Sequence, residues 1–182
     1  MRNLIITAIL SIAAINSFSQ DTINRVFPGE NGKVKYTEVV KIDSVSKQIL
    51  YARAKQYFVE NYNSANAVIQ LQDETNGEII GKGFFEESIK YRTGAYATGK
   101  IHHTVKISVK DGRYKYEVYD IRVESLPTAF DKIQVERSIE TWCDAENNMC
   151  YANNLTIDVD IKALIRNLQK HMLKPTSAEE DW

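Results

Sequence analysis

The fold is decided by the stretch Ile101-His-His-Thr-Val-Lys-Ile-Ser-Val-Lys-Asp-Gly-Arg-Tyr-Lys-Tyr-Glu-Val-Tyr-Asp-Ile-Arg-Val123. Within it, two runs of alternating apolar residues flank Asp111-Gly112, a pair that favours the positive backbone angles of a tight hairpin turn. A second hairpin is predicted earlier in the chain, where residues 68–72 and 79–85 flank Asn76-Gly77. The two hairpins predict four strands of an antiparallel sheet.

Two of these strands carry irregularities that bear on packing. In the last strand, the apolar or aromatic positions are 114, 116 and 118 at one parity and 119, 121 and 123 at the other. A bulge near Val118 would turn both sets toward the core; the alternative is a strand that is apolar on both faces. Gly81 and Gly83 lie within the pattern of an earlier strand and indicate either a bulge or a close approach of another segment.

Two helices are predicted, one on each side of the hairpins. Ser44 or Ser46 can cap the first helix. Its apolar stripe consists of Leu50, Ala54, Tyr57 and Phe58. The stripe of the second helix consists of Ile157, Ile161, Leu164, Ile165, Leu168 and Met172. Pro175 ends this helix.

The order of elements predicts the fold class. Residues 34–42 alternate as a first strand, so the order is strand, helix, four strands, helix. We expect an α+β domain with one five-stranded antiparallel sheet and both helices on one face, since two apolar helix stripes need a sheet face to cover. The other face is left open or is covered by residues 125–156, which show no clear period and are predicted to form a long loop.

The two ends of the chain are expected to lie outside the folded domain. Residues 1–19 have the pattern of a signal peptide: Arg2, an apolar run at 4–15, and small residues at Ser17 and Ser19. The mature chain would begin at Gln20, fold as one domain over 20–174 and end in a flexible acidic tail at 175–182. No cysteine follows the apolar run, so we expect no lipid anchor and a periplasmic or secreted protein.

Composition excludes two classes of partner. The 182 residues include 23 basic and 24 acidic side chains, a net charge of −1. This balance gives no basic surface for nucleic acid. No later segment is long and apolar enough to span a membrane once the signal is cleaved.

The late loop carries the only two cysteines, Cys143 and Cys150. Export would place them where disulfides persist, so we expect a disulfide between them. The segment between them holds no histidine, which argues against zinc. Trp142 lies just outside this ring, Met149 lies just inside it, and Tyr151 follows it. These bulky side chains either form an exposed binding loop or pack back onto the open sheet face as a lid.

Five segments together resemble a known family. They are Phe27-Pro28, Gly32-Lys-Val-Lys-Tyr-Thr-Glu-Val-Val40, Val68-Ile-Gln-Leu71, Asn76-Gly-Glu-Ile-Ile-Gly-Lys-Gly83 and Val105-Lys-Ile-Ser-Val-Lys-Asp-Gly-Arg-Tyr-Lys-Tyr116. They look like segments of a domain-of-unknown-function family found in exported proteins of Gram-negative bacteria, with a TATA-box-binding-protein-like (TBP-like) fold. The similarity covers Phe27 to Glu124. It implies the fold and export, and it brings no catalytic motif.

The candidates for chemistry are few. His102 and His103 are adjacent on a predicted strand, so they point to opposite faces. His103 shares the parity of the apolar residues and is predicted at the edge of the core, whereas His102 is predicted to be exposed. A hydrolase would have to use His103 with Glu86 or Asp120. Separately, Tyr114 and Tyr116 form a candidate interaction surface, although tyrosine is also ordinary in strands.

These observations favour an exported, non-enzymatic binding module that uses the open sheet face or the loop closed by Cys143 and Cys150. We expect no cofactor, and a protein or a small molecule as the partner. Two alternatives stay open: a periplasmic hydrolase that uses His103 with a nearby carboxylate, and a secreted enzyme inhibitor. A deep pocket that holds His103 beside a carboxylate would favour the enzyme, and a shallow aromatic face would favour the binding module.

Overall fold

The computed structural model describes residues 26–62, 64–90, 94–125, 134–142 and 148–175, without the side chains of residues 65, 66 and 148–151. The helices are α1 (Lys47–Asn61), α2 (Ala65–Val68) and α3 (Asn148–Leu173). The strands are β1 (Gly29–Glu30), β2 (Lys33–Val34), β3 (Tyr36–Lys41), β4 (Ile69–Asp73), β5 (Glu78–Lys90), β6 (Tyr96–Lys110), β7 (Arg113–Ser125) and β8 (Val135–Ser138).

Strands β3 to β8 form one antiparallel sheet, and β1 and β2 form a separate small hairpin. The sheet order is β3-β7-β6-β5-β4, and β8 also pairs with β7. Strand β3 pairs with the first half of β7 and β8 pairs with its last four residues, so both lie along the same edge of β7. The prediction of five strands is therefore wrong by one. The sheet has six strands, because β3 and β8 share the position beside β7.

Helices α1 and α3 cover the same face of this sheet, as predicted. Helix α1 packs over Gly81 of β5. Helix α3 reaches the opposite edge, where the Tyr36 hydroxyl donates a hydrogen bond to Asp158 Oδ1 at 2.7 Å. The strand register connects these positions, because Gly81 pairs with Val105, Val105 with Val118, and Val118 with Tyr36. Residues paired in this way point to one face.

The predicted helix stripes form the core. All four stripe residues of α1 are buried, as are all those of α3 except Leu164, which is half-buried. Ser46 caps α1, accepting from the Ile49 amide. A Cβ atom on Gly81 would overlap the ring of Phe58, and one on Gly83 would overlap the ring of Tyr62. Of the two interpretations of these glycines, the close approach is confirmed.

Strand β7 contains the bulge that its sequence indicates. Thr104 pairs with Tyr119, but His102 pairs with Arg122, so β7 has one more residue than β6 in this interval. Asp120 lies in the bulge with φ 54°. The extra residue reverses the parity of β7, so that Ile121 joins Val118 on the buried side. The bulge alternative is confirmed.

The expected long loop at 125–156 is wrong in two places. Strand β8 lies within it, and α3 begins at Asn148. Asparagine disfavours helix interiors, yet Asn153 bonds both backbone groups of Lys90, at 3.2 and 2.9 Å, and Asn154 accepts from the Trp142 indole at 2.9 Å. These tertiary contacts outweigh helix propensity. The predicted signal peptide and residues 176–182 of the tail lie outside the described residues.

We predict that Phe58→Ala destabilises the protein by about 3–5 kcal/mol, because it opens a cavity over Gly81. The matched control is Val59→Ala, at the next position of the same helix, where the side chain is 56% exposed. This change should cost less than about 0.5 kcal/mol. Urea unfolding of the two variants measures both values, and equal losses would mean that the buried face of α1 is wrongly assigned.

Candidate functional site

A cleft of about 360 Å³ opens between α1, α3 and strands β5 and β6. Tyr57, Tyr62 and Phe85 supply aromatic walls, and Glu87 and Asp160 supply carboxyl groups. A volume of this size lies in the range of about 300–1,000 Å³ that small-molecule sites occupy.

Local geometry aims each side chain at the cleft. Along β5, alternate residues face the helices, so Phe85 and Glu87 follow Gly83 on the covered side; Glu86 has the opposite parity but also lines the cleft. On α3, Asp160 precedes Leu164 by one helical turn, which places both on the side that faces β5. The cleft therefore receives the carboxyl groups of Glu86 and Glu87 from the sheet and that of Asp160 from a helix.

His103 lies in the wall of the cleft and is 3% exposed. Its Nδ1 is 3.3 Å from the Ile101 carbonyl oxygen, to which it donates, and its Nε2 is 3.0 Å from the Tyr62 hydroxyl, from which it accepts. Burial lowers the pKa of His103 to about 4, although the Ile101 bond acts in the opposite direction. At neutral pH the ring is uncharged, and both of its nitrogens are engaged.

A short chain of hydroxyls leads to this histidine. Tyr57 and Tyr62 are hydrogen-bonded through their side chains, with Tyr57 as the donor. Burial raises the pKa of Tyr62 to about 12, so both hydroxyls keep their protons. The chain Tyr57–Tyr62–His103 fixes the aromatic wall of the cleft in one arrangement.

Two carboxyl groups of the cleft interact directly. Burial, and a hydrogen bond and charge repulsion with Glu87, raise the pKa of Asp160 to about 6. Asp160 Oδ2 is buried and has no hydrogen-bond partner among the described residues. Below that pH Asp160 holds its proton, which removes its charge repulsion with Glu87.

A second cluster lies on the uncovered face of the sheet. The ligand atoms of His102, Glu124 and Glu136 lie within 4.8 Å of one another, so within the described chain these three side chains could hold a metal ion. Each already has a partner: His102 Nε2 is 2.5 Å from Glu124 Oε2, and Arg122 donates to Glu136. The potential ligand atoms of this cluster are thus already hydrogen-bonded within the chain. His102 is half-buried rather than exposed as predicted.

The rest of the uncovered face is predominantly polar. Lys106 pairs with Glu78 at 2.7 Å, and Lys115 pairs with Glu117 at 3.1 Å. Phe84 is the exposed aromatic residue here, at 48%, with the Lys100 ammonium 4.8 Å from its ring centre. The first two lysines are thus paired with carboxylates, and a recess of about 420 Å³ lies on this face beside Val39, Ser108 and Lys115.

The predicted interaction surface is only partly available. Tyr114 and Tyr116 are wrong as surface residues, since they are 1% and 6% exposed and lie under the helices at the parity of Val118. Trp142 is half-buried and packs against the core beside α3, which favours the packed arrangement over an exposed one. Cys143 and the side chains of Met149, Cys150 and Tyr151 lie outside the described residues, so the disulfide stays a prediction.

The two predicted partners of His103 lie in different places. Glu86 lines the cleft together with His103, Glu87 and Asp160, but the ring of His103 is hydrogen-bonded to Tyr62 and Ile101 instead. Asp120 is 3.5 Å from Arg122 and 3.9 Å from Lys82 on the uncovered face of the sheet.

Comparison with known proteins fits this fold. A family described as a domain of unknown function (DUF4468) with a TBP-like fold matches residues 36–124. These residues belong to the DUF4468 family. The predicted family resemblance is confirmed, and the DUF4468 segment runs from β3 to the penultimate residue of β7.

Two solved structures resemble the chain beyond the DUF4468 segment. A TBP-like protein from Parabacteroides distasonis has a TM-score of 0.64 at 19% identity, over 82% of this chain and 98% of that one. A DUF4468 family protein from Bacteroides ovatus has a TM-score of 0.57 at 15% identity, over 84% and 93%. At these identities the likeness shows the fold alone. No curated protein matches the chain.

The cleft joins the DUF4468 segment to helix α3, which follows that segment. Sequence reasoning missed Glu87 and Asp160 because the two are far apart in the chain and belong to different elements. Two signals were available. Asp160 lies on the apolar stripe of α3, three residues after Ile157 and four before Leu164, and Glu87 has the parity of Phe85 in β5. No helix in the described part of the chain could cross a membrane.

We predict that Asp160→Asn stabilises the protein at pH 8 and has a smaller effect at pH 4.5. The folded state raises the pKa of Asp160 from 3.8 to about 6, so its contribution to stability is present at low pH and is lost as pH rises through about 6. With allowance for solvent screening, Asp160→Asn should raise the free energy of unfolding at pH 8 by about 1 kcal/mol.

Urea unfolding at both pH values measures this difference, with the exposed Asp43→Asn as the control for loss of one charge. A gain in stability that does not change with pH, or a loss of stability at pH 8, would contradict the unfavourable burial and charge repulsion assigned to Asp160.

Proposed function

We propose that the protein is an exported, non-enzymatic binding module and that its ligand enters the cleft between α1, α3 and the sheet. The observation that carries this proposal is the buried Asp160 Oδ2, which lacks a donor among the described residues and lies beside Glu87 in a cleft with aromatic walls. An unsatisfied buried acceptor at such a place calls for an outside donor.

The state of His103 argues for binding rather than hydrolysis. A general base needs a free ring nitrogen within reach of the substrate. Here Nδ1 donates to Ile101 and Nε2 accepts from Tyr62, so neither nitrogen offers a lone pair to the cleft. The low pKa of His103, about 4, also keeps it a weak base. In this proposal, His103 holds Tyr62 in place.

Export rests on the sequence of residues 1–19 and on the family resemblance. Delivery out of the cytoplasm would also suit the pair Cys143 and Cys150, because disulfides persist in oxidising compartments. A ligand taken from that compartment would then reach the cleft directly.

The export part of the proposal predicts that the mature chain starts at Gln20. Intact-mass analysis of the protein recovered from the periplasm or the culture medium measures this. Iodoacetamide labelling of the same unreduced, denatured sample tests whether Cys143 and Cys150 are joined. A product that retains Met1 would overturn export with cleavage.

The binding part predicts that small monocyclic probes occupy the cleft. We suggest benzyl alcohol, benzylamine and benzoate, which share one ring size and differ in charge, observed by amide chemical shifts in ¹H–¹⁵N NMR. At least one probe should move the signals of Tyr62, Glu87 and Asp160 in a saturable way, because the aromatic walls can accept a ring.

A cleft-filling variant provides the test of location. Leu164→Trp places a large side chain in the cleft lining and should abolish the saturable shifts. Leu155→Trp is the matched control on the same helix, at a position that is 42% exposed. Binding that persists in Leu164→Trp, or no binding by any probe to the native protein, would overturn the cleft as a binding site.

A further inference from the structure

The charge of the cleft decides which ligands it can take. Among the described residues that line it, the titratable ones besides the tyrosines are Glu86, Glu87, His103 and Asp160, and none is lysine or arginine. His103 is uncharged at neutral pH, so the cleft carries negative charge without a cation of its own. A negative, partly water-excluded site attracts cations and repels anions.

Another carboxylate of α3 has both a hydrogen-bond donor and a cation as partners. Asp158 is 7% exposed, accepts from the Tyr36 hydroxyl at 2.7 Å and pairs with Lys162 at 2.7 Å. Among the described residues, Asp160, two residues further on, has no such cation. The described part of the chain thus compensates one carboxylate of α3 internally and supplies no cation to its neighbour in the cleft.

We infer that the cleft binds a small organic cation, an ammonium or guanidinium group on an apolar body, with its N–H groups donating to Glu87 and Asp160. This inference rests on the proposed binding function. The cation would supply the donor that Asp160 Oδ2 lacks, and charge-assisted hydrogen bonds to carboxylates are the strong ones. The apolar body would lie against Tyr62 and Phe85.

The aromatic wall favours an organic cation over a metal ion. Phe85 and Tyr62 each lie beside His103, with ring centres 5.6 and 6.2 Å from the imidazole centre. Rings in this position can contact both an apolar body and a positive charge. A divalent metal ion would find the carboxyl groups of Glu86, Glu87 and Asp160 here but no free histidine nitrogen. Hard cations such as calcium take six to eight oxygen ligands.

The test compares the three NMR probes, together with calcium chloride, at pH 7.5. We expect benzylamine to bind at least about tenfold more tightly than benzyl alcohol, the equivalent of one charge-assisted contact. Benzoate should bind more weakly than either, and calcium should not displace benzylamine.

Variants separate the two carboxyl groups from the general charge of the protein. Glu87→Gln and Asp160→Asn should each lower the affinity for benzylamine at least about tenfold, and each should change the affinity for benzyl alcohol little. Asp43→Asn removes the same charge at an exposed position that does not line the cleft, and it should leave benzylamine binding within about twofold. Benzylamine binding should also weaken as pH falls below about 6, where Asp160 takes up a proton.

The outcomes distinguish this inference from the function it rests on. Suppose that benzyl alcohol and benzylamine bind the native protein equally well and that Leu164→Trp abolishes both. This result would overturn the inference of a cationic ligand but would keep the cleft as a binding site. Displacement of benzylamine by calcium would also overturn it, in favour of a metal ion. Failure of every probe to bind would overturn both proposals.

Discussion

The close approach of helix α1 to the sheet at Gly81 and Gly83 is the constraint on which the rest of the structure depends. Because neither residue has a Cβ atom, the rings of Phe58 and Tyr62 can lie directly on the backbone of β5. Phe58 thereby closes the core, and Tyr62 is brought to 3.0 Å from His103. The floor and one wall of the cleft follow from this contact, since Tyr62 also holds Tyr57 by a hydrogen bond. Stability and the site thus share one packing interaction.

The bulge at Asp120 has a comparable effect on the other face. Without the additional residue, Glu124 would point toward the helices and Val123 toward solvent, because one residue of register reverses every side chain. With it, Val123 enters the core, and Glu124 meets His102 on the uncovered face. The positive φ of Asp120 is a local strain that the paired strands on both sides hold in place. One irregular residue therefore completes the core and neutralises a buried carboxylate.

Much of the fold could be predicted from local patterns, and the site could not. The hairpin turns, both helix stripes, the bulge and the glycine contact are each encoded within a few residues, where periodicity and turn chemistry act directly. Strand β8 has four residues and little apolar pattern, so only its pairing with β7 defines it. Arg53 is not part of the apolar stripe of α1, yet it is 7% exposed and donates to the Met172 carbonyl at 2.9 Å. Contacts of this kind, like the meeting of Glu87 with Asp160, join distant segments and leave no local signal.

The buried and half-buried carboxylates of the protein differ in whether the fold supplies their partners. Glu117 is 9% exposed and is paired with Lys35 and Lys115, and Glu124 is 5% exposed and is paired with His102. Lys115 and His102 belong to the same sheet and Lys35 directly precedes β3, so folding itself supplies these partners. Glu87 and Asp160 are different, because folding brings two acids together and raises the pKa of Asp160. Folding alone gains nothing from that arrangement, since an amide at either position would keep the hydrogen bond without the repulsion. An interaction that opposes folding and faces an open cleft is what the proposed binding of an organic cation would require.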